Sequence, residues 1–233
     1  MPLILNIDTA TGNGAAGLSE NDNLLAHMES IHQSEHAAFI QPAIRTIMNS
    51  SGRSLNEIDA VAVSIGPGSY TGIRVGLSAA KGLCYALGKP LITVNTLHIM
   101  AVASIANYLA ENPQKETNPL FCPMIDARRM EVFTALFDIN AAEVKPSHAL
   151  IIDENIFEEE LSARQVIFSG DGAFKIQNLL KQSNAIVSGT KHDIKHLALL
   201  ALKKFNENQF ADLAYCEPFY LKAFYTTLKK KEY

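Results

Sequence analysis

An internal repeat constrains the fold of this sequence most strongly. The apolar segment LILNID ends at Asp8, and FCPMID ends at Asp126, about half of the 233-residue sequence later. Each half places short strands first and then alternates helices with strands. Two such α/β units pack side by side with a cleft between them. The sequence therefore predicts two related lobes, residues 1–110 and 119–233, with the C-terminal helix packing back on the first lobe.

The first half is predicted to fold as βββαβαβα. Turn signals such as GNG and ENDN separate its three opening strands, which favours antiparallel hairpins. The first helix has Ser34 as a candidate N-cap, and Pro42 predicts a kink or a later start. The other predicted helices of this half cover 70–87 and 96–109.

The second half follows the polar segment 111–119, which contains two prolines and is predicted to be a linker. Three strands should come first. Helices are predicted at 154–162, 174–182 and 194–206, with the strands QVIFSG and AIVSG between them.

Composition limits the classes of function. Hydrophobic residues make up 48% and charged residues 19%, which is typical of a globular protein. The net charge of −4 argues against a general nucleic-acid binder, and the basic tail Lys229–Lys231 is interpreted as a solvated end. Three cysteines without paired spacing favour reduced thiols in the cytoplasm. We expect neither a signal peptide nor a membrane span.

The strongest local motif is GPGSYTGIRVG at residues 66–76. Backbone amides at such a strand-to-helix junction can bind an anion. However, Gly72, Gly76 and Ala80 also recur every four residues, which predicts close packing of this helix face. Packing is the stronger interpretation, and the partner lies either in this chain or on another subunit.

Other polar residues are weaker candidates for a site. Asp8 and Asp126 end strands at the predicted cleft, and Gly170 and Gly172 form a turn there, so these four are candidates for nucleotide or magnesium binding. The residues after both aspartates are bulkier than a tight phosphate clamp prefers. His32 and His36 have a zinc-compatible spacing but lack a third ligand, so no metal site is predicted.

A cluster of charges follows Asp126. It contains Arg128, Arg129 and Glu131 in a strand–turn–strand context. A salt-bridged hairpin and an anion- or partner-binding site explain it equally well. The sequence contains no recognisable catalytic nucleophile.

Seven motifs together resemble the bacterial TsaB (YeaZ) family: LNIDTAT, HQSEHAAFIQPAI, IGPGSYTGIRVGLSAAKGL, VNTL, MIDARRMEVF, SGDGA and EPFYLK. The resemblance implies the actin/Hsp70/sugar-kinase-like (ASKHA) fold. It also implies a role in forming N6-threonylcarbamoyladenosine at position 37 of tRNAs that read codons beginning with A. The implied partners are the catalytic subunit TsaD, the ATPase TsaE and, as an alternative, a second copy of this chain. Contact with tRNA would occur only through the complex.

The resemblance further implies a non-catalytic subunit. The metal motif of TsaD, Val-x-His-x-x-x-His, corresponds here to a segment with Thr96 and Met100 at the ligand positions. A hydroxyl and a thioether are poor substitutes for two imidazoles. We expect no cofactor, with weak ATP or ADP binding only in the complex. The alternative is an ATP-dependent enzyme of the same fold or a glycoprotease-like metallopeptidase.

Two helices of the first lobe form the partner interface in that family. A Gly76→Leu substitution is accordingly expected to weaken association without unfolding the lobe. The corresponding residues here are Ile44, Ile47, Gly72, Ile73, Gly76, Leu77, Ala80 and Leu83.

Overall fold

The computed structural model describes residues 1–30, 36–113, 118–153, 156–177, 179–180 and 182–222. The first lobe contains strands β1 (Leu3–Asp8), β2 (Gly14–Glu20), β3 (Asn23–Ser30), β4 (Ala60–Ser64) and β5 (Leu91–Val94), with helices α1 (His36–Ser51), α2 (Tyr70–Leu87) and α3 (Thr96–Glu111). The second contains β6 (Leu120–Asp126), β7 (Glu131–Phe137), β8 (Glu143–Ile151), β9 (Val166–Ser169) and β10 (Ala185–Val187), with α4 (Glu158–Ala163) and α5 (Ile194–Asn206).

The two sheets have the same topology, which confirms the predicted repeat. Their strand orders are β3-β2-β1-β4-β5 and β8-β7-β6-β9-β10. In each sheet the first three strands are antiparallel neighbours and the last two pair in parallel. Thus β6 occupies the position of β1, and Asp126 ends its strand as Asp8 does.

Helix boundaries follow from local capping. The Ser69 side chain accepts a hydrogen bond from the Gly72 amide at the start of α2, and Gly88 ends the helix with φ 63°. The predicted ranges of α2 and α5 are confirmed. Pro42 lies inside α1 at an exposed position, and the predicted cap Ser34 lies outside the described residues.

One predicted helix is wrong. Residues 174–182 were expected to be helical, but the structure has a short 3₁₀ helix at Asp171–Lys175 instead. Gly172 packs tightly there, since an added Cβ would lie 3.0 Å from the Met124 Cβ. The turn after β9 therefore packs directly against β6, where an added side chain at Gly172 would clash.

The C-terminal part of the chain crosses to the first lobe. Helix α5 buries Ile194, Leu197 and Leu200 in a cluster with residues of β1, β4 and β5. The segment after α5 continues along the same lobe, where the Phe219 amide donates to the Ile65 carbonyl at 2.8 Å. The described helices include none that is long and apolar enough to cross a membrane.

The glycine face of α2 packs against the end of β1. A Cβ at Gly72 would lie 2.1 Å from the Thr9 carbonyl oxygen, and one at Gly76 would lie 2.3 Å from Thr9 Oγ1. Thr9 Oγ1 also donates to the Gly72 carbonyl at 2.7 Å. The close partner of the glycine stripe is therefore in this chain, and Gly76→Leu should destabilise the lobe itself, contrary to the sequence-based expectation.

Gly72→Ala should destabilise the protein by about 1–3 kcal/mol, because the new methyl group would overlap the Thr9 backbone. Gly82→Ala on the same helix is a matched control, since nothing lies within 4 Å of a Cβ there. That change should stabilise the protein by about 0.5–1 kcal/mol, as expected for a glycine replaced inside a helix. Urea unfolding of both variants measures the difference, and equal stability would contradict the packing argument.

Candidate functional site in the cleft between the lobes

A cavity of about 270 Å³ lies between the two lobes. Its walls come from the β1–β2 turn, helix α3, the turn after β9 and the connection from β10 to α5. The lining residues are Asp8, Thr11, Gly12, Asn13, Ala15, Glu29, Met100, Gly170, Asp171, Phe174, Ser188, Gly189, Thr190, Lys191, His192, Asp193 and Ile194.

Asp8 is the buried charged group of this cavity, with 3% of its surface exposed. Its Oδ1 accepts hydrogen bonds from Ser64 Oγ at 2.6 Å and from the Ala10 amide at 3.0 Å. Its Oδ2 lies 3.0 Å from Nε2 of His192, which donates to the carboxylate. Both carboxylate oxygens are therefore occupied by donors from three separate segments of the chain.

The pKa values of this pair move apart. Burial alone would raise the pKa of Asp8, but the hydrogen bond and charge of His192, with the bonds from Ser64 and Ala10, lower it below 3.8. Burial would lower the pKa of His192, but Asp8 and the charges of Asp193 and Asp171 raise it above 6.5. The geometry thus supports a carboxylate paired with an imidazolium.

Asp126 at the equivalent position of the second lobe also has a cation from its own chain. Lys175 Nζ lies 2.5 Å from Asp126 Oδ1, which also accepts from the Arg128 amide at 2.6 Å. The hydrogen bond from Lys175 is the main cause of the lowered pKa of Asp126. Unlike Asp8, the Asp126 side chain is 46% exposed.

The structure brings only part of the predicted nucleotide site together. Asp8 and Gly170 line the cavity, whereas Asp126 and Gly172 are not among its lining residues. His192 was missed by sequence reasoning because it is 184 residues from Asp8 along the chain. The lysine–histidine–aspartate run before α5 contained no pattern that pointed to a buried partner.

The two residues at the ligand positions of the TsaD metal motif, Thr96 and Met100, are buried in this chain. Thr96 is fully buried at the start of α3, and the Met100 methyl group contacts the Gly170 backbone region. His98 between them stacks on Phe137 with ring centroids 5.2 Å apart. Burial, followed by the charges of Lys204 and Lys203, lowers the pKa of His98.

Only one of the two histidines considered as zinc ligands lies within the described residues. His32 lies outside the described residues, and His36 is buried with its Nε2 3.1 Å from the Thr11 carbonyl oxygen. Within the described ranges, no three His, Cys, Asp or Glu side chains are grouped to hold a metal ion.

The glycine-rich segment before α2 uses its amides within the chain. The Ser69 amide donates to the Ala10 carbonyl at 2.7 Å, and the Ile73 amide donates to the Ser69 carbonyl at 2.9 Å. The Gly72 amide donates to Ser69 Oγ. These donors are consumed by packing and helix capping, which favours the packing interpretation over anion binding.

The predicted partner residues need a correction. Seven of the eight are buried in the core of their own lobe, and Leu83 is partly buried. Buried side chains of this core cannot contact another chain in this arrangement. The interface through these two helices stays a prediction, and it now rests on their exposed faces: Ala37, Ala38, Gln41, Arg45 and Thr46 on α1, and Thr71, Ser78, Gly82, Tyr85 and Ala86 on α2.

Comparison with known proteins identifies the family. A family model described as "TsaD: tRNA N6-adenosine threonylcarbamoyltransferase" matches residues 28–230. The tRNA threonylcarbamoyladenosine biosynthesis protein TsaB of Escherichia coli is 30% identical to this chain, and the match covers 94% of both proteins. The chain belongs to the TsaB family.

Other relatives agree with this assignment. TsaB of Bacillus subtilis is 26% identical over 94% of this chain and 93% of that protein. The solved structure of YeaZ from Pseudomonas aeruginosa superposes with a TM-score of 0.76, at 21% identity, and covers 95% of this chain and all of that one. The latter likeness shows the fold, which is the predicted ASKHA type.

His192→Gln should flatten the stability profile of this TsaB-family chain above pH 6.5. The raised pKa of His192 means that its contribution is complete below pH 6.5 and is lost as pH rises through the folded-state value. Glutamine can still donate to Asp8 but does not titrate. Urea unfolding at several pH values from about 6 to 9 measures the slope.

The exposed His27 of β3 offers a control, since β2 separates β3 from β1 in the sheet and His27→Gln should keep the wild-type slope. If His192→Gln kept that slope as well, the buried ion pair would not explain the pH dependence.

Proposed function

We propose that this chain is a non-catalytic subunit in the synthesis of N6-threonylcarbamoyladenosine at position 37 of tRNAs that read codons beginning with A. Its partners would be a TsaD homologue and the ATPase TsaE, in the cytoplasm. Membership of the TsaB family supports the pathway, because its relatives are named as biosynthesis proteins of this modification. The observation that supports the non-catalytic assignment is that both oxygens of the buried Asp8 carboxylate already accept hydrogen bonds from this chain.

The Asp8 carboxylate could bind a magnesium ion only by giving up existing partners. Its two oxygens accept three hydrogen bonds, one of them from a residue with a raised pKa. Magnesium requires oxygen ligands in near-octahedral geometry and usually keeps several waters. A paired imidazolium at 3.0 Å opposes a second cation at the same place.

A nucleotide cofactor is disfavoured for the same reason. The carboxylates at the ends of both equivalent strands are neutralised by His192 and Lys175 of the same chain. The amides of Ser69, Gly72 and Ile73 are also engaged within the chain. We therefore propose no cofactor for the isolated chain, with weak ATP or ADP binding arising only in the complex.

The exposed faces of α1 and α2 are the proposed partner surface. They carry small residues such as Ala38, Ser78 and Gly82, which allow close approach of another helix, and the exposed aromatic Tyr85 (84%). Aromatic residues of this kind often dominate binding energy at interfaces. A stable complex of standard size would bury about 1,600 Å² in total.

The alternative is an ATP-dependent enzyme of this fold or a glycoprotease-like metallopeptidase. Either needs free ligands for a metal ion, and the residues Thr96 and Met100 do not supply them. Calorimetry with Mg-ATP and elemental analysis of the purified chain distinguish the alternatives. Tight nucleotide binding or stoichiometric zinc or iron would favour the enzyme.

Reconstitution tests the proposed function directly. The TsaD homologue, TsaE, a supply of threonylcarbamoyl-adenylate and a substrate tRNA are combined with and without this chain. Formation of the modified nucleoside should depend on the chain, while the chain alone should produce none. An unchanged rate when it is omitted would overturn the proposal.

Gly82→Arg should weaken association with the TsaD homologue without unfolding the lobe, because space around Gly82 is open. Ala163→Arg places the same side chain at an exposed position on α4 and should leave association unchanged. Analytical ultracentrifugation measures association, and thermal unfolding checks the fold of both variants. Equal association of the two variants would argue against the exposed face of α2 as the contact surface.

A further inference from the structure

The turn between β1 and β2, residues 9–13, forms part of the wall of the cleft cavity. Thr11, Gly12 and Asn13 line the cavity, and Asp8 directly before the turn carries the buried carboxylate. The same turn also contacts the N-terminal ends of helices α1 and α2, whose exposed faces are the proposed partner surface. These contacts decide whether a displacement of the helices also displaces the cleft wall.

Helix α1 is attached to this turn by its first residue, His36. The side chain is buried, with 3% of its surface exposed, and its Nε2 lies 3.1 Å from the Thr11 carbonyl oxygen. A carbonyl oxygen only accepts hydrogen bonds, so Nε2 carries the proton and donates it. Among the described residues, Nδ1 of His36 has no hydrogen-bond partner. The bond to Thr11 is therefore the polar contact that orients this ring in the part of the chain that the structure describes.

The imidazole ring of His36 also packs between two glycines. A Cβ added at Gly14, the first residue of β2, would lie 2.7 Å from Nδ1 of His36. A Cβ added at Gly72 of α2 would lie 3.2 Å from Cδ2 of the same ring. The ring thus fills the space between α2 and the start of β2, so packing adds to the hydrogen bond in holding α1 to the turn.

Helix α2 is attached to the same turn at its own N-terminus. Thr9 Oγ1 donates to the Gly72 carbonyl at 2.7 Å, and the amide of the N-cap Ser69 donates to the Ala10 carbonyl at 2.7 Å. Three consecutive residues, Thr9, Ala10 and Thr11, therefore each bond to one of the two helices or its cap. Closely packed groups of this kind move together, because protein interiors have few voids that absorb a displacement.

We propose that His36 couples the partner surface to the cleft, so that docking of a protein on the exposed faces of α1 and α2 restrains the cavity wall at residues 11–13. His36 is a positioning residue, because it acts through the Thr11 carbonyl. Coupling of this kind is carried by contiguous contacts, which the bonds from both helices to the turn supply. The inference rests on the proposed function, which makes a TsaD homologue the docked protein.

The coupling would give the cleft different properties in the complex and in the free chain. It offers a physical route to the weak ATP or ADP binding that we propose for the complex alone. Linkage is reciprocal, so a ligand that requires the restrained turn would strengthen docking by the same factor by which docking strengthens its binding.

A purely structural role for His36 is the alternative. A buried histidine that only fills space contributes to stability in the free chain and in the complex alike. Its removal would then leave the response of the turn to docking unchanged. The two roles are therefore distinguished by that response, and not by stability.

Hydrogen exchange followed by mass spectrometry measures the response of the turn. Exchange of peptides that cover residues 9–14 is compared between the free chain and its complex with the TsaD homologue. In the wild type we expect exchange to be roughly threefold slower in the complex, because docking restrains the helices that hold the turn. Equal exchange in the two states would overturn the proposal.

His36→Leu is the central variant, because leucine keeps apolar bulk but cannot donate to Thr11. The slowing of exchange on docking should be lost, while association stays within about twofold of wild type because His36 lies outside the exposed faces. His36→Gln retains a side-chain N–H donor and should restore the slowing. Persistence of the slowing in His36→Leu would overturn the proposal, since the docked protein would then simply cover the turn. Loss of it in His36→Gln would overturn the role of the hydrogen bond.

Thr9→Val tests the attachment of α2 independently, and it serves as the test if His36→Leu does not fold. It removes the hydroxyl that donates to Gly72 at nearly constant side-chain volume, and it should reduce the slowing on docking. Thermal unfolding checks the fold of every variant. Full wild-type slowing in a folded Thr9→Val variant would contradict coupling through the turn.

Arg53→Gln is the matched control. Arg53 follows α1 and pairs with Glu20 at 2.8 Å, so it also attaches this region to β2, but at the end of the strand opposite the turn. The variant should keep the wild-type slowing at residues 9–14. An equal loss of slowing in Arg53→Gln and His36→Leu would overturn the specific role of His36.

These outcomes differ from failure of the proposed function. If omission of the chain does not affect modification, or if no complex with the TsaD homologue forms, the proposed function itself fails. If the complex forms and modification requires the chain, but exchange of the turn does not respond to docking, only the coupling inference fails.

Discussion

The buried ion pair between Asp8 and His192 is the interaction on which the arrangement of the cleft depends. It joins the end of β1 to the connection before α5, and Ser64 of β4 completes it. Removing one member of a buried pair leaves an uncompensated charge, which typically costs about 3–5 kcal/mol. The pair therefore orders the cleft and at the same time occupies the carboxylate that a cation would need.

The two lobes show how a duplicated fold diverges at equivalent positions. Strands β1 and β6 both end in aspartate, and each carboxylate is neutralised by a cation of the same chain. Asp8 is buried and hydrogen-bonded by the surrounding segments, whereas the Asp126 side chain is about half exposed in a hairpin. The first lobe thus contributes a closed core and helical surfaces, while the second presents charged side chains to solvent.

Sequence reasoning predicted the fold well, because hydrophobic periodicity, glycine turns and the repeat all report local structure. The succession of strands and helices along the first half and the bounds of α2 followed from these signals. The site was harder to predict, since His192 meets Asp8 only through the crossing of α5 to the first lobe. The partner residues were misplaced for a related reason: Gly72 and Gly76 signal close packing, but the pattern does not say which chain supplies the neighbour, and here Thr9 does.

The return of the C-terminal segment to the first lobe has a mechanical consequence. Helix α5 packs on β1 and β5 of the first lobe, and within residues 219–222 Tyr220 contacts Arg74 of the first lobe while Lys222 pairs with Glu131 of the second. Opening of the lobes would have to break the Lys222–Glu131 ion pair and the packing of α3 against β6. The molecule is therefore suited to act as a rigid spacer that keeps two outer surfaces at a constant separation, and not as a clamp that closes on a ligand.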